Sequence, residues 1–220
     1  MFSEKGLNVK DLICNIFNHF ILPFKITKKD LILVMEVEFL LVGQGIAGSL
    51  LSYRLIKAGR TVHVIDQPEN NNCSRVAAGI YNPVTGRNLV KTWLADEMFP
   101  EIESFYRELE GEFGRSFLHD KAIYRPFACI EEQNEWMGKS VDIAYRDFVD
   151  EVSGRPRFGD MACDPFGGLL LKQCGYLDTR GYLAAVRDLL TERDSILRGQ
   201  FDADKLEIAG SKLRYGNLEP

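Results

Sequence analysis

The feature that most constrains the fold is a glycine-rich turn between a strand pattern and a helix pattern. Residues 37–42 are mostly apolar and predict a buried strand, and the turn at residues 43–48, with sequence GQGIAG, follows directly. A helical pattern continues through residues 49–57, and a β-branched run over residues 61–65 ends on Asp66. A GxGxxG turn in this strand–helix–strand setting predicts a dinucleotide-binding unit, whereas an ordinary glycine-rich turn would not need the second strand and its acid.

Each glycine of the turn has a mechanical reason. Gly43 lets the chain turn sharply, Gly45 leaves room for a pyrophosphate beside the backbone, and Gly48 lets the helix pack closely on the sheet. The helix N-terminus offers unpaired N–H groups and the positive end of its dipole to phosphates. Asp66 has the spacing of an acid that binds ribose hydroxyls, and its charge would repel a 2′-phosphate. The expected ligand is therefore FAD or NAD rather than NADP.

Composition narrows the class of protein. The 220 residues suffice for one large or two small domains, and 45% of them are hydrophobic. The net charge of −5 gives no reason to expect nucleic-acid or membrane partners. The number of cysteines is odd, none forms a CxxC pair, and histidine is rare, so we expect small buried cysteines, no metal site and a cytoplasmic location. The cysteines are Cys14, Cys73, Cys129, Cys163 and Cys174.

The first residues differ in character from the rest. Apolar runs in residues 12–22 are interrupted by polar residues, so neither a membrane span nor a signal peptide is expected. Met35 stands directly before the first strand pattern, which suggests that it is the natural start and that residues 1–34 are a poorly ordered or non-native extension. The alternative is an amphipathic helix that docks on the domain.

Two further segments carry a family resemblance. Ser-Arg-Val-Ala-Ala-Gly occupies residues 74–79, and Gly-Tyr-Leu-Asp-Thr-Arg-Gly-Tyr occupies residues 175–182. With the glycine turn and Asp66, in this order, the sequence resembles the FAD-dependent oxidoreductase family of glycine oxidase and D-amino-acid oxidase. The resemblance implies an α/β fold, a Rossmann-like FAD-binding domain with an inserted α+β substrate domain.

The resemblance also implies a cofactor and its contacts. It implies noncovalent FAD, because Val76 stands where relatives with covalently attached flavin have a histidine. Ser74 and Arg75 would lie near the flavin or the pyrophosphate, and Ala78 and Gly79 near the isoalloxazine ring. The cofactor-binding residues expected on these grounds are Gly43, Gly45, Ile46, Ala47, Gly48, Asp66, Gln67, Ser74, Arg75, Ala77, Ala78 and Gly79.

The same family resemblance implies the order of the domains. Residues 35–92 would begin the FAD-binding domain, 93–174 would form part of the substrate domain, and 175–220 would return to an incomplete FAD-binding domain. The family's C-terminal part, with the arginine that grips a substrate carboxylate, has no counterpart here. The sequence therefore resembles the N-terminal part of a longer enzyme, and this part alone is expected to be inactive as an oxidase. Within the substrate part we expect helices broken near Pro100.

A specific substrate pocket is harder to predict. The polar candidates are Tyr124, Arg125 and Tyr176, although each is more readily read as a strand residue whose polar end has a partner. No catalytic acid–base pair is visible, and no catalytic residue is assigned.

Several functions stay open. The family resemblance favours oxidation of a small amine or amino acid by hydride transfer to flavin. Another FAD enzyme of the hydroxylase or cyclase kind, an NAD dehydrogenase, and a non-catalytic remnant are the alternatives. A modified tRNA base with a methylamino group is a subsidiary possibility, since the chain also resembles the flavin half of a bifunctional tRNA-modifying enzyme, but the acidic charge gives it no support.

Overall fold

The computed structural model describes residues 24–25, 36–67, 72–86, 89–139, 141–209 and 212–215. The chain divides into two compact units. The first unit comprises Met1–Val76 and Arg180–Pro220, and the second comprises Ala77–Thr179. Of the predicted extension, only Phe24–Lys25 is described, as a short strand; the proposed start at Met35 and the alternative N-terminal helix lie outside the described residues.

The strands, in chain order, are β1 (Phe24–Lys25), β2 (Glu36–Val37), β3 (Phe39–Val42), β4 (Val62–Asp66), β5 (Ile80–Tyr81), β6 (Val84–Thr85), β7 (Val90–Lys91), β8 (Leu118–Asp120), β9 (Ile123–Pro126), β10 (Val149–Ser153), β11 (Gly168–Leu171), β12 (Gly175–Leu177), β13 (Ile196–Arg198), β14 (Leu206–Ala209) and β15 (Lys212–Tyr215). The α-helices are α1 (Ile46–Lys57), α2 (Cys73–Val76), α3 (Ala95–Phe113), α4 (Ile130–Lys139) and α5 (Thr179–Glu192), and short 3₁₀ turns lie at Ile143–Tyr145 and Ala203–Lys205.

A parallel sheet forms the centre of the first unit. Its order is β13-β4-β3, with Phe39 opposite Val62 on one side of β4 and Ile196 opposite Val64 on the other. Every residue of β4 is buried, as is typical of a central parallel strand, whereas β3, for which the sequence predicts burial, is only partly buried and its Val42 is 58% exposed. Helix α1 connects β3 to β4, so the predicted Rossmann-like βαβ unit is confirmed.

A second sheet of the first unit has the order β14-β15-β1-β2. Its strand β1 runs parallel to β15 and antiparallel to β2. Tyr215 at the end of β15 packs against Ile65 of β4 and stacks on Phe201, with 5.1 Å between the ring centroids. These contacts join the two sheets of the unit through one small apolar core.

The second unit is a mixture of antiparallel strands and helices. Its three-stranded sheets have the orders β10-β11-β9 and β5-β12-β8, and β6 pairs with β7. A hydrophobic core of this unit contains the fully buried Trp136 of α4, together with Phe127, Phe148 and Leu169. This is the α+β character that the family resemblance implies for a substrate domain.

Two local expectations are wrong. Helix α3 continues through Pro100 from Ala95 to Phe113, because the proline lies early in the helix and removes only one backbone bond near its start. Three of the cysteines that we expected to be buried, Cys73, Cys129 and Cys163, are exposed; only Cys174 is buried among the described cysteines, and Cys14 lies outside them. None of the described helices has the length and apolar character needed to cross a membrane.

Candidate dinucleotide-binding site

The glycine turn has the close geometry that its sequence predicts. Gly43 has a φ of +93°, in the region that L side chains rarely adopt, and its N–H donates to Ile65 O at 2.8 Å. A Cβ added to Gly48 would lie 2.0 Å from Gly43 O, so the first turn of α1 fits against the loop only because residue 48 is glycine. The turn is thereby fixed both to β4 and to the helix that follows it.

The N-terminus of α1 is suited to an anion. The first helical backbone bond is Ser49 N–H to Gly45 O, so the N–H groups of Ile46, Ala47 and Gly48 have no acceptor within the helix. Gly45 caps the helix without a side-chain bond, and the first turn contains no acidic residue. The positive end of the helix dipole therefore has no neutralising carboxylate of its own.

Ser74 lies directly over this helix end. Its hydroxyl accepts the Ile46 N–H at 3.1 Å, and a Cβ on Gly45 would lie only 3.0 Å from the same oxygen. A polar oxygen thus already approaches the backbone at the point where the sequence predicts a phosphate oxygen. Arg75 follows in the same short helix, α2.

Asp66 is buried at the end of β4 and holds a defined set of donors. Its Oδ1 accepts the Gln44 N–H at 2.8 Å, and its Oδ2 accepts a bond from Arg187 Nη2 of α5. Only 7% of the Asp66 side chain and 14% of the Arg187 side chain are exposed. The carboxylate that we expected to bind ribose hydroxyls is therefore one half of a buried ion pair, and the arginine offsets the repulsion of a 2′-phosphate on which the argument against NADP relied.

Gln44 extends this pair into a network. It is completely buried, and its amide donates to Leu183 O at 2.8 Å and to Ser49 Oγ at 3.1 Å, while its carbonyl accepts from Arg187 Nε at 2.7 Å. Every polar atom of its side chain has a partner, as burial requires. The network joins the glycine turn, helix α1 and helix α5.

The sequence did not predict Gln44 or Arg187. Gln44 occupies a variable position of the glycine motif, and Arg187 lies on a helix far along the chain with no motif around it. A polar residue inside a turn that must be buried was the one available signal for Gln44.

A cavity of about 520 Å³ lies beside this network. Arg75, Arg180 and Arg187 line it, with Leu183, Ala184 and Asp188. Burial lowers the pKa of Arg187; nearby Asp66 raises it, and the like charges of Arg75 and Arg198 lower it further. The first unit therefore contains a concentration of positive charge next to its glycine turn.

The remaining predicted cofactor residues fall in two places. Gln67 is exposed directly after β4 in the first unit. Ala77, Ala78 and Gly79 belong to the second unit, where Gly79 has a φ of +71° and a Cβ on it would lie 2.0 Å from Leu177 O. The structure therefore brings Gly43, Gly45, Ile46, Ala47, Gly48, Asp66, Ser74 and Arg75 together in one unit.

The three candidates for substrate contact lie in the second unit. Tyr124 donates its hydroxyl to Asp164 at 2.9 Å, and burial and this carboxylate raise its pKa to about 12. Arg125 forms an ion pair with Glu132 at 2.8 Å. Tyr176 is 40% exposed and stacks on His119. The polar groups of Tyr124 and Arg125 thus have partners in their own unit.

The residues of the first unit fit a dinucleotide on geometric grounds. A Cβ on Gly45 would enter the space above the helix end, the N–H groups of Ala47 and Gly48 have no acceptor within the helix, and Asp66 lies at the end of the neighbouring strand. These are the elements that hold the diphosphate and a ribose in a Rossmann βαβ unit. The fold and site therefore define a nucleotide-binding α/β protein.

The family follows from a direct comparison. The model of the FAD dependent oxidoreductase family matches residues 38–214, which is most of the chain. The chain belongs to this family, whose members depend on FAD, and the resemblance inferred from the four sequence segments is confirmed.

Solved structures support the same fold. Glycine oxidase from Bacillus cereus ATCC 14579 superimposes with a TM-score of 0.60 at 18% identity, over 80% of this chain and 49% of that one. Iminodiacetate oxidase from Chelativorans sp. BNC1 gives a TM-score of 0.58 at 16% identity, with 80% and 49% covered. L-Amino acid deaminase from Proteus myxofaciens gives 0.55 at 14% identity, with 86% and 45% covered. The chain spans about half the length of these proteins.

Proposed function

We propose that the protein of this chain oxidises a C–N bond of a small amine or amino acid to an imine, with FAD as noncovalent hydride acceptor. The observation that carries the proposal is the glycine turn held against Asp66, Gln44 and Arg187, in a chain of the FAD dependent oxidoreductase family. The names of its structural neighbours, which include an oxidase of glycine and one of iminodiacetate, support a substrate of this chemical class.

The chain's own residues would bind the adenosine diphosphate half of the cofactor. The N–H groups of Ala47 and Gly48 would donate to phosphate oxygens, and the Ser74 hydroxyl, which now accepts the Ile46 N–H, could bond to the same group. Asp66 Oδ1 and Oδ2 each retain lone-pair capacity beyond their present donors, so the carboxylate can accept ribose hydroxyls while Arg187 holds it in place.

FAD supplies, when bound, the acceptor for the hydride that leaves the substrate carbon next to nitrogen. The protein must then orient the substrate and exclude water, and the residues that would do so on this chain are not assigned. Residues 35–92 and 175–220 are proposed to serve the cofactor and residues 93–174 the substrate.

Noncovalent attachment is supported by Val76, whose aliphatic side chain is 61% exposed and has no atom that could bond to the flavin. A cytoplasmic location is proposed from the odd number and spacing of the cysteines. A hydroxylase or cyclase, an NAD dehydrogenase and a non-catalytic remnant would use the same cofactor cradle, and reactivity separates them.

The test is a reduction assay on the purified full-length protein, loaded with FAD and kept free of oxygen. Glycine, sarcosine and D-amino acids are expected to bleach the oxidised flavin absorbance, whereas NADH and NADPH are not. Gly45→Val should abolish flavin retention, because the side chain would occupy the position expected for a phosphate, where an added Cβ already lies 3.0 Å from Ser74 Oγ. Gly111→Val, at an exposed position with nothing within 4 Å of an added Cβ, is the control for a glycine-to-valine replacement away from the site.

The alternatives give different results. Reduction of the flavin by NADH or NADPH, and not by amines, would indicate a hydroxylase-like enzyme. A bound nicotinamide nucleotide in place of flavin would indicate a dehydrogenase. Bound FAD that no amine reduces would support the remnant and refute amine oxidation by this protein. Equal flavin content in the Gly45→Val variant would remove the glycine turn from the cofactor site.

A further inference from the structure

The arginine-lined cavity is more than a gap beside the ion pair. Arg75, Arg180 and Arg187 line one space of about 520 Å³, and among the described residues that line it Asp188 is the one acidic residue. Arginine presents five donors in a planar fork, which matches the oxygens of a phosphate better than those of water or a single carbonyl. The cavity therefore has the donors and the charge for a ligand with more than one anionic oxygen.

The bonds within the first unit leave part of this donor capacity unused. Arg187 donates through Nε to Gln44 and through Nη2 to Asp66, and Arg180 donates through Nε to Arg75 O at 3.0 Å. In the part of the chain that the structure describes, the buried Nε of Arg75 has no hydrogen-bond partner. An unsatisfied buried guanidinium nitrogen is costly, and Arg75 also lines the cavity, so its guanidinium lies near the place that an anion would occupy.

The position of the cavity indicates which ligand it would take. Arg75 follows Ser74, whose hydroxyl is bonded to the N-terminus of α1, and Arg187 is bonded to Asp66 at the end of β4. Two residues that line the cavity are therefore linked to these points: Arg75 is the neighbour of Ser74 at the helix end that attracts phosphate, and Arg187 is bonded to the acid that is placed for a ribose. The group between those two points in a dinucleotide is the diphosphate.

We propose that Arg180 and Arg187 of α5 form, with Arg75, a binding site for the diphosphate group of the bound dinucleotide. This rests on the proposed cofactor site and adds to it two residues of α5, the helix with which the chain returns to the first unit. It assigns to α5 a role in ligand binding besides its bonds to Gln44 and Asp66. Arg180 is the cleaner probe, because it is exposed and its side chain donates one bond to a backbone oxygen, while Arg187 also supports a buried carboxylate.

The experiment measures binding, not turnover. The flavin-free chain is titrated calorimetrically with FAD, ADP, inorganic pyrophosphate and riboflavin, at two salt concentrations. Arg180→Gln is compared with Arg193→Gln, a matched loss of charge at an exposed position just after the same helix, outside the cavity. Far-UV circular dichroism and a melting curve establish that each variant is folded like the parent.

Arg180→Gln is expected to weaken FAD, ADP and pyrophosphate by about tenfold or more, because each loses a charge-assisted bond. It should also flatten the dependence of binding on salt, and leave riboflavin, which has no phosphate, unchanged. Arg180→Lys should recover part of the affinity, and Arg193→Gln should behave like the parent. Pyrophosphate should compete with ADP and FAD.

Three outcomes would overturn the assignment. Unchanged binding of all phosphate ligands in Arg180→Gln would remove the residue from the site. An equal loss in Arg193→Gln would show a nonspecific effect of net charge. Pyrophosphate that binds together with ADP would show an anion site separate from the dinucleotide. Failure to oxidise amines would leave this result untouched, because ADP and pyrophosphate test the site without flavin chemistry.

Discussion

Gly48→Ala tests how much of cofactor binding depends on the close contact between helix α1 and the glycine turn. The added Cβ would lie 2.0 Å from Gly43 O, whereas ordinary van der Waals contact begins at 3.4 Å. The helix start or the turn must therefore move by about 1.4 Å, and both are backbone, so no flexible side chain can absorb the change.

The magnitude follows from two effects. Strain of this kind typically costs about 1–3 kcal/mol of folding free energy. Displacing the N-terminus of α1 also misaligns N–H groups that would donate to phosphate, and one lost charge-assisted bond is worth about 1.5–3 kcal/mol. We therefore expect FAD to bind about tenfold to a hundredfold more weakly.

Equilibrium denaturation and flavin-fluorescence titration measure the two effects separately. Gly111→Ala is the matched control, since Gly111 lies in helix α3 with nothing within 4 Å of an added Cβ. Alanine there should stabilise the chain by up to about 1 kcal/mol without changing FAD affinity. A Gly48→Ala variant with parental stability and parental FAD affinity would refute the close-packing argument, since the same backbone would then accept a Cβ.

Three more predictions concern the pH dependence of stability and the attachment of the cofactor. Burial would raise the pKa of Glu110, but the N–H bonds from Phe117 and Leu118 and the bond from Arg107 lower it from 4.5 to about 2. The free energy of unfolding should therefore fall by up to about 3 kcal/mol as the pH drops from 4.5 towards 2. In denaturant titrations, Glu110→Gln should lose most of this pH dependence. Burial lowers the pKa of His63, so the folded state favours the neutral ring and the free energy of unfolding should fall as the pH drops below about 6.5. By the same measurement, the stability of His63→Leu should depend less on pH, and an unchanged dependence would contradict this prediction. Flavin should pass into the supernatant on acid precipitation, and colour retained in the pellet would contradict noncovalent binding.

The local parts of the fold could be predicted from the sequence, and the long-range parts of the site could not. Alternating and apolar runs place β3 and β4, and the glycine spacing identifies the turn because each glycine answers a local steric need. Arg187 is different, since it reaches Gln44 and Asp66 from a helix more than a hundred residues away in sequence. No periodicity encodes which face of α5 meets the turn.

Two errors have a related physical origin. The prediction of a helix break at Pro100 is wrong because a proline near the start of a helix removes one backbone bond there. The apolar face of α3, which includes the buried Phe105 and Leu109, continues past the proline. Burial is the common state of cysteine, which is the basis of the prediction that the cysteines are buried. Cys73, Cys129 and Cys163 are exposed in short helices and loops, where burial depends on tertiary contacts that the identity of one residue does not predict.

The ribose contact of Asp66 can be separated from its structural role by comparing two ligands. Replacement by alanine removes the partner of the buried Arg187 and an acceptor of the Gln44 N–H, so a simple loss of FAD affinity would not show whether Asp66 touches the ligand. The ratio of the affinities for ADP and 2′-deoxy-ADP avoids this problem, because any distortion of the site weakens both ligands. If the carboxylate accepts the 2′-hydroxyl, the parent chain should prefer ADP by about tenfold or more, as expected for a hydrogen bond to a charged group. Asp66→Ala should reduce the ratio towards one, while Arg187→Lys, which keeps a cation beside the carboxylate, should weaken both ligands and preserve the ratio. A parent chain that binds the two nucleotides equally would show that Asp66 stabilises the turn and does not bind the 2′-hydroxyl.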